Sequence, residues 1–227
     1  MKTAKRLIEK YIPEYSRLPL VLVVVWNLLC YYLPRLIAGG FFHHDLSLPI
    51  DSVIPLVPWT SVIYLLSFPF WYFNYILIAR RSEQSAYRFF TSDFITRLLC
   101  FAIFLVFPTV KALPAVEDRD AWGFILRHIY YMDEPNNLFP SIHCIASYYA
   151  AVCLRKDKRV PLWYRIASYF IALAIFASTL TTKQHVFADV IGGIAVAGVC
   201  YELSAIPAVR RGYKKLVELI ERALELI

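Results

Sequence analysis

Serine and histidine occur together in two short stretches of this sequence, residues 139–143 (FPSIH) and 178–189 (STLTTKQHVFAD), and the second stretch also contains an aspartate. In the second stretch His185 and Asp189 are four residues apart, so on a helix they share one face. The carboxylate can then hold the proton of one imidazole nitrogen, which leaves the other nitrogen with a free lone pair. That nitrogen can attack phosphorus, and Asp189 stabilises the imidazolium that develops. The spacing predicts a histidine nucleophile for phosphoryl transfer.

The first stretch predicts a phosphate-binding helix start and a general acid. Pro140 and Ser141 mark a helix N-terminus, where backbone amides and the positive helix end favour a phosphate group. The Ser141 hydroxyl adds a donor, and His143 is placed to protonate the departing alcohol oxygen. We expect Lys111 and Lys183 to supply positive charge for the phosphate oxygens.

Each of these residues also has a structural explanation. A lone histidine at a membrane interface is more often hydrated and hydrogen-bonded than catalytic. Asp189 differs, because a carboxylate inside an apolar span is costly and is therefore functional or paired. The adjacent residues His43, His44 and Asp45 form a weak ligand set, so we predict a solvated loop there, and neither a metal nor a cofactor. Small residues on the last apolar block predict close helix packing: Gly192, Gly193, Ala197 and Gly198.

The elements that carry these residues are predicted to be membrane-spanning helices. Of 227 residues, 59% are hydrophobic and 16% are aromatic, more than a soluble globular domain contains. A helix needs about 20 apolar residues to cross a hydrocarbon layer of ~30 Å. Six apolar blocks approach this length, although the fourth is short: residues 18–38, 59–79, 97–116, 141–154, 163–182 and 185–206. We predict an all-α fold, a polytopic six-helix membrane bundle with kinks at Pro69 and Pro108.

The distribution of basic residues predicts the orientation. Most of the 24 lysine and arginine residues would lie on one face of the bundle. Because cytoplasmic connections retain such residues, both termini are predicted to be cytoplasmic. The starts of the fourth and sixth blocks then lie together on the outer side, so the two histidines can converge. The net charge of +7 reflects this topology and an attraction to anionic lipid heads, and we predict no nucleic-acid partner.

Three regions follow along the chain. Residues 1–17 form a cytoplasmic or interfacial segment, residues 18–206 the six-span catalytic domain, and residues 207–227 a cytoplasmic amphipathic helix. The apolar residues of this last region recur at helical spacing, which suits either the membrane surface or packing on a partner.

Residues 97–198 resemble the type 2 phosphatidic acid phosphatase family. The family's pattern is a Lys with Arg-Pro seven residues on, then Pro-Ser-Gly-His, then Ser-Arg, five residues, His, three residues and Asp. The matching residues are Pro140, Ser141 and His143 for the second element, and Ser178, His185 and Asp189 for the third. The resemblance implies six spans, an outward-facing site, a phosphohistidine at His185 and a role in phosphate binding for Ser178.

The sequence departs from the family's pattern at the phosphate-binding cations. Thr179 stands where the family has Arg, and no Arg-Pro follows Lys111. We expect Lys183 to replace the missing cation, with Arg119 or Arg127 from the outer connection as alternatives.

Three segments look more like the inositol phosphorylceramide synthase branch of the superfamily: residues 49–55 (PIDSVIP), 107–109 (FPT) and 182–185 (TKQH). That branch transfers a phospho-alcohol headgroup between lipids. The resemblance implies the same histidine nucleophile, with a lipid hydroxyl in place of water resolving the intermediate.

Three functions remain open. The leading prediction is a metal-independent phosphatase acting on phosphatidic acid-like or isoprenyl phosphate or pyrophosphate substrates. The alternatives are a phosphoinositol-type headgroup transferase to a lipid hydroxyl, and a phospholipid carrier or scaffold without enzymatic activity. For all three we expect a multi-pass protein of the cell membrane, and the compact size favours a bacterial plasma membrane.

Overall fold

The computed structural model describes residues 11–116 and 120–225, and these are mainly helical. The helices in chain order are α1 (Glu14–Ala38), α2 (Pro49–Val53), α3 (Ser61–Ala79), α4 (Glu83–Val106), α5 (Ala121–Met132), α6 (Ile142–Val152), α7 (Leu162–Thr181), α8 (Phe187–Leu203) and α9 (Pro207–Glu225). A 3-10 turn, Pro58–Thr60, leads into α3. The predicted all-α class is confirmed, and the described residues contain only isolated β-bridges and no strand.

Four segments are long and apolar enough to cross a membrane: Glu14–Ala38, Pro58–Ala79, Glu83–Val106 and Leu162–Thr181. Helices α8 and α9 make a fifth if they are taken as one span bent by 92°. Helix α6 has 11 residues, which gives a length of about 16 Å, and so it does not cross by itself. The six predicted blocks correspond to α1, α3, α4, α6, α7 and α8.

The predicted third block, residues 97–116, is displaced along the chain. Helix α4 begins at Glu83 and ends at Val106. Polar residues lower the hydropathy of its first half, yet two of them form a buried ion pair, with Arg97 Nη2 3.4 Å from Asp93 Oδ1. Pro108 lies beyond the end of the helix and does not kink it, whereas Pro69 lies inside α3.

Helix α4 lies near the centre of the bundle and packs against α1 and α8, while α6 packs against α3, α7 and α8. Their shared core contains Phe89, Phe90 and Phe104 from α4 and Tyr149 from α6. The Tyr149 hydroxyl lies 2.6 Å from Thr96 Oγ1 and also donates to the Ala197 carbonyl. Side chains on the outer faces remain exposed and apolar, as lipid-facing positions require.

Helices α6 and α8 approach each other closely at two glycines. A Cβ atom at Gly193 would lie 2.7 Å from the Ser141 carbonyl oxygen, and one at Gly192 would lie 2.3 Å from a ring carbon of Phe139. The Ser141 N–H donates to the Asp189 carbonyl at 3.1 Å. The close packing predicted for these glycines is confirmed, and it brings the two sequence stretches together.

Helix α9 turns away from α8 and packs one face onto the bundle. Tyr213 and Val217 are buried, and the Tyr213 ring lies 5.3 Å from that of Phe94. Leu219 and Leu224 point outward and are exposed. Of the predicted N-terminal segment, residues 1–17, the first ten lie outside the described residues.

We expect Gly193→Ala to lower the thermal stability of the protein, because its Cβ would force the Ser141 backbone away from α8. Overpacking of this kind costs about 1–3 kcal/mol. Gly212→Ala is the matched control, since a Cβ there meets no other part of the protein within 4 Å and alanine favours a helix. Thermal unfolding in detergent measures both variants. An unchanged transition temperature for Gly193→Ala would contradict the close approach.

Candidate active site

The first part of the site is the pair formed by His185 and Asp189. His185 precedes α8, which begins at Phe187, so the predicted shared helix face is wrong. Asp189 lies in the first helical turn, where its Oδ2 accepts from the Val186 N–H at 2.9 Å and lies 3.2 Å from His185 Nδ1. The carboxylate therefore caps the helix and orients the imidazole at once. With the proton on Nδ1, the lone pair of His185 is on Nε2.

The turn that carries His185 is held by the segment around α2. The Lys183 ammonium donates to the Asp51 carbonyl at 2.9 Å and also to the Ile54 carbonyl. The Asp51 carboxylate accepts from the N–H groups of Phe187 and Leu48, both at 2.8 Å. Lys183 thus braces this turn, and its phosphate-binding role stays a prediction.

Lys111 is the second predicted cation, and it lies in the extended segment that follows α4. Its pKa is lowered by burial and by the charge of Lys183, against the opposing effect of Asp51 and Asp189. Lys111 therefore lies within electrostatic range of the carboxylate that orients His185. Within the described ranges its ammonium has no hydrogen bond or ion pair, which leaves it able to bind an anion. Arg119 lies outside the described residues.

His143 lies in the first turn of α6, as the sequence predicts, and Ser141 is the N-cap of this helix. The Ser141 hydroxyl oxygen accepts from the Cys144 N–H at 3.3 Å, and the side chain is buried. The ring centroid of His143 lies 5.9 Å from that of His185. His143 Nε2 is buried and has no partner among residues 11–116 and 120–225.

Ser178 forms its side-chain hydrogen bond within its own helix. Its hydroxyl donates to the Ile175 carbonyl at 2.8 Å within α7. Thr179, where the family has Arg, is fully buried and donates to the Phe176 carbonyl. The proposed hydrogen bond from Ser178 to a phosphate oxygen would require this internal bond to break.

A cavity of about 310 Å³ contains both histidines. Its walls are mostly apolar and aromatic and come from α1, α3 and α5, including Leu28, Phe68 and Met132. The Tyr64 ring stacks on His143 with centroids 4.2 Å apart, and Trp71 lies 5.1 Å away. Arg127 is not among the residues that line this cavity.

The sequence analysis missed several polar residues of this cavity, among them Asp133 and Gln184. Asp133 follows α5 and accepts hydrogen bonds from the hydroxyls of Tyr31 at 2.6 Å and Tyr64 at 2.7 Å. Gln184 is buried beside His185, and its Nε2 finds no partner in the described part of the chain. Asp133 is one of several acidic residues in its connection, so its position in the sequence does not distinguish it.

The histidines of the 43–45 loop do not reach the cavity. His43 Nδ1 lies 2.8 Å from the Phe41 carbonyl, and the His44 ring stacks on Phe107 at 4.2 Å. Across the described residues, no group of three His, Cys, Asp or Glu side chains is arranged to hold a metal ion.

The comparison with protein families identifies one match. A family model described as the PAP2 superfamily matches residues 35–203, about three quarters of the chain. This confirms the resemblance carried by the histidine stretches. No curated protein and no solved structure matches the chain.

We expect Asp51→Asn to destabilise the turn that carries His185. An amide can accept only one of the two N–H groups that the carboxylate binds, and a hydrogen bond to a charged group contributes about 1.5–3 kcal/mol. The expected result is a lower thermal transition temperature together with reduced turnover. Asp45→Asn is the control, because Asp45 is exposed and, among the residues that the structure describes, accepts only from Ser47 in its own loop. If the two variants unfold at the same temperature, Asp51 does not brace the turn.

Proposed function

This chain belongs to the PAP2 superfamily, and we propose that it is a metal-independent lipid phosphate phosphatase that forms a phosphohistidine at His185. One observation carries the proposal. The oriented pair of His185 and Asp189 lies beside the unpartnered Nε2 of His143, and both histidines line one cavity. A nucleophile and an acid facing one space match the needs of phosphoryl transfer.

In the first step the lone pair on His185 Nε2 attacks phosphorus. The N–P bond forms while the bond between phosphorus and the lipid oxygen breaks. His143, in its cationic form, donates its Nε2 proton to that leaving oxygen. Asp189 stabilises the positive charge that develops on His185, and the ammonium of Lys111 and the hydroxyl of Ser141 bind the phosphoryl oxygens.

In the second step water resolves the intermediate. Neutral His143 accepts a proton from water at Nε2, the new O–P bond forms, and the N–P bond breaks. The electron pair returns to His185, and inorganic phosphate leaves. Both histidines are then restored to their starting protonation states.

The shape of the cavity supports a lipid substrate. Leu28 and Tyr32 on α1, Leu65 and Phe68 on α3, and Met132 on α5 line the cavity and are also exposed on the outer surface of the bundle. The cavity therefore reaches the lipid-facing side between these helices. A phosphatidic acid-like or isoprenyl phosphate or pyrophosphate substrate can place its phosphate at the histidines while its chain stays in lipid.

A second candidate is transfer of a phospho-alcohol headgroup to a lipid hydroxyl. Buried amide atoms without partners among the described residues, Gln184 Nε2 and Asn27 Oδ1, belong to side chains that line the same cavity. Such groups suit hydroxyl-bearing ligands, because a buried amide is stabilised by a hydrogen bond. The chemistry at His185 would be the same, and an alcohol would replace water in the second step.

We also propose that both termini are cytoplasmic and that the histidines face the outer side. The site is formed by the starts of α3, α6 and α8. At the opposite ends of these helices, a smaller cavity is lined by several cations: Arg81, Arg88, Arg155 and Lys156. The positive-inside rule assigns that end to the cytoplasm.

We expect purified protein in EDTA to release phosphate from phosphatidic acid or isoprenyl pyrophosphate. The rate should fall by about a thousandfold or more in each of three variants, His185→Ala, His143→Ala and Asp189→Asn. The reason is that these three side chains act together in the same catalytic step. His128→Ala is the control, because His128 is exposed on α5 and outside the cavity. Full activity of His185→Ala would exclude the mechanism.

The same assay separates the candidates when a radiolabelled phosphoinositol donor is added with ceramide or diacylglycerol. Free phosphate indicates the phosphatase. Labelled lipid without free phosphate indicates the transferase. Lack of both products in the wild type would contradict enzymatic function and favour the carrier.

The orientation is tested with reporters fused after residue 227. We expect a green fluorescent protein fusion to fluoresce and an alkaline phosphatase fusion to be inactive in a bacterial host, because the first needs the cytoplasm and the second the periplasm. A matched fusion within the outer connection that precedes α5 should give the reverse. The opposite pattern at both points would place the histidines on the cytoplasmic side.

A further inference from the structure

We propose that Asp133, acting through the Tyr64 hydroxyl, is a positioning residue that orients His143 and favours its protonated form for donation to the leaving oxygen. The inference rests on the proposed function and adds a second carboxylate to the mechanism. It follows from a chain of contacts that runs across the cavity from the connection after α5 to the first turn of α6.

The hydrogen bonds that link His143, Tyr64 and Asp133 all run in one direction, from the imidazole to the carboxylate. A phenol has a single hydrogen, and Tyr64 donates it to Asp133 Oδ2 at 2.7 Å. The phenol oxygen is then left as an acceptor, and it lies 3.4 Å from His143 Nδ1. This arrangement favours a proton on Nδ1, because only an N–H can donate to that oxygen. His143 therefore uses Nε2, the buried nitrogen without a partner in the described chain, for proton transfer in the cavity.

Two further contacts fix the geometry of this chain. The Tyr31 hydroxyl donates to Asp133 Oδ1 at 2.6 Å, so both carboxylate oxygens are held. The rings of Tyr64 and His143 stack at 4.2 Å, which keeps the imidazole over the phenol. Asp133 thus has little freedom to leave the cavity wall.

The charge of Asp133 also supports a cationic His143. Burial acts to raise the pKa of the Asp133 carboxyl, yet this pKa lies below its ordinary value because of the charge of His143 and the hydrogen bonds from Tyr31 and Tyr64. The carboxylate is therefore charged at neutral pH and favours a cationic His143.

Groups on four other parts of the fold face His143. Burial is the largest effect that opposes a positive charge on His143, and His185 before α8 and Arg97 on α4 add to it. The neutral phenol of Tyr64 on α3 only relays its hydrogen bond. Asp189 on α8 is committed to His185. Asp133 is thus the carboxylate that supports the cationic form of His143, as Asp189 supports that of His185. Two carboxylates with separate histidines allow neutral His185 to act as the nucleophile while cationic His143 acts as the acid.

The test compares Asp133→Asn and Tyr64→Phe with wild type across a range of pH. Both variants preserve shape, and each should lower kcat/KM by about tenfold to a hundredfold at neutral pH. The alkaline limb of the profile should move to lower pH by about one unit, because His143 loses its proton more easily without the charge or the relay. A role in folding alone would lower the amount of active enzyme without moving this limb.

Glu134→Gln is the matched control. Glu134 is the next residue, is exposed, and pairs with Arg35 at 3.0 Å outside the catalytic contacts. We expect its profile to coincide with that of wild type. The double variant Asp133→Asn with Tyr64→Phe should lose little more than either single variant, because both interrupt one path.

An unmoved alkaline limb in both single variants, or losses that multiply in the double variant, would overturn the inference. Thermal unfolding of each variant identifies any that do not fold, in which case the other single variant decides. The proposed function fails separately, since it predicts turnover by wild type and loss in His185→Ala whatever Asp133 does.

Discussion

The contact between the start of α6 and the start of α8 positions the whole site, and Asp189 is at its centre. The Asp189 carbonyl accepts the Ser141 N–H, and its carboxylate caps α8 through Val186 while orienting His185. One residue thus joins two helices and His185 by both backbone and side chain. Gly193 allows this contact, because any side chain there would meet the Ser141 backbone.

Polar groups inside an apolar bundle need partners, and their arrangement constrains the rest of the fold. Asp93 and Arg97 pair with each other in α4, and Asp133 is held by two phenols. Asp51 and Lys183 connect the α2 segment to the turn before α8 through backbone groups. Because water cannot satisfy such groups within lipid, each of these contacts restricts how neighbouring helices can move.

The sequence predicts the parts of this structure that depend on local or periodic features. Five of the six apolar blocks correspond to helices whose ends differ from the predicted ends by a few residues. His185 also pairs with Asp189 as predicted, although it lies before the helix and not on it. The predicted start of the third block, residue 97, was wrong, because α4 begins at Glu83. Hydropathy does not distinguish a buried ion pair, such as that of Asp93 and Arg97, from a surface one.

Long-range contacts explain what the sequence could not reveal about the site. Asp133 is separated by 69 residues from Tyr64 and by 102 from Tyr31. The ammonium of Lys183 reaches a carbonyl 132 residues earlier in the chain. No local pattern indicates such partners, so the sequence could not predict that Lys183 braces the turn before α8.

The short length of α6 bears on which group, water or a lipid alcohol, would accept the phosphoryl group in the proposed reaction. About 16 Å of helix separates His143 from the basic end of the bundle, roughly half the thickness of the hydrocarbon layer. In the orientation that we propose, the basic end lies at the cytoplasmic interface, and the histidines then lie below the level of the outer headgroups. Access of water to the proposed phosphohistidine would be set at that depth by the cavity and its aromatic walls. In the proposed reaction the fold itself would therefore control the competition between water and a lipid alcohol for the phosphoryl group.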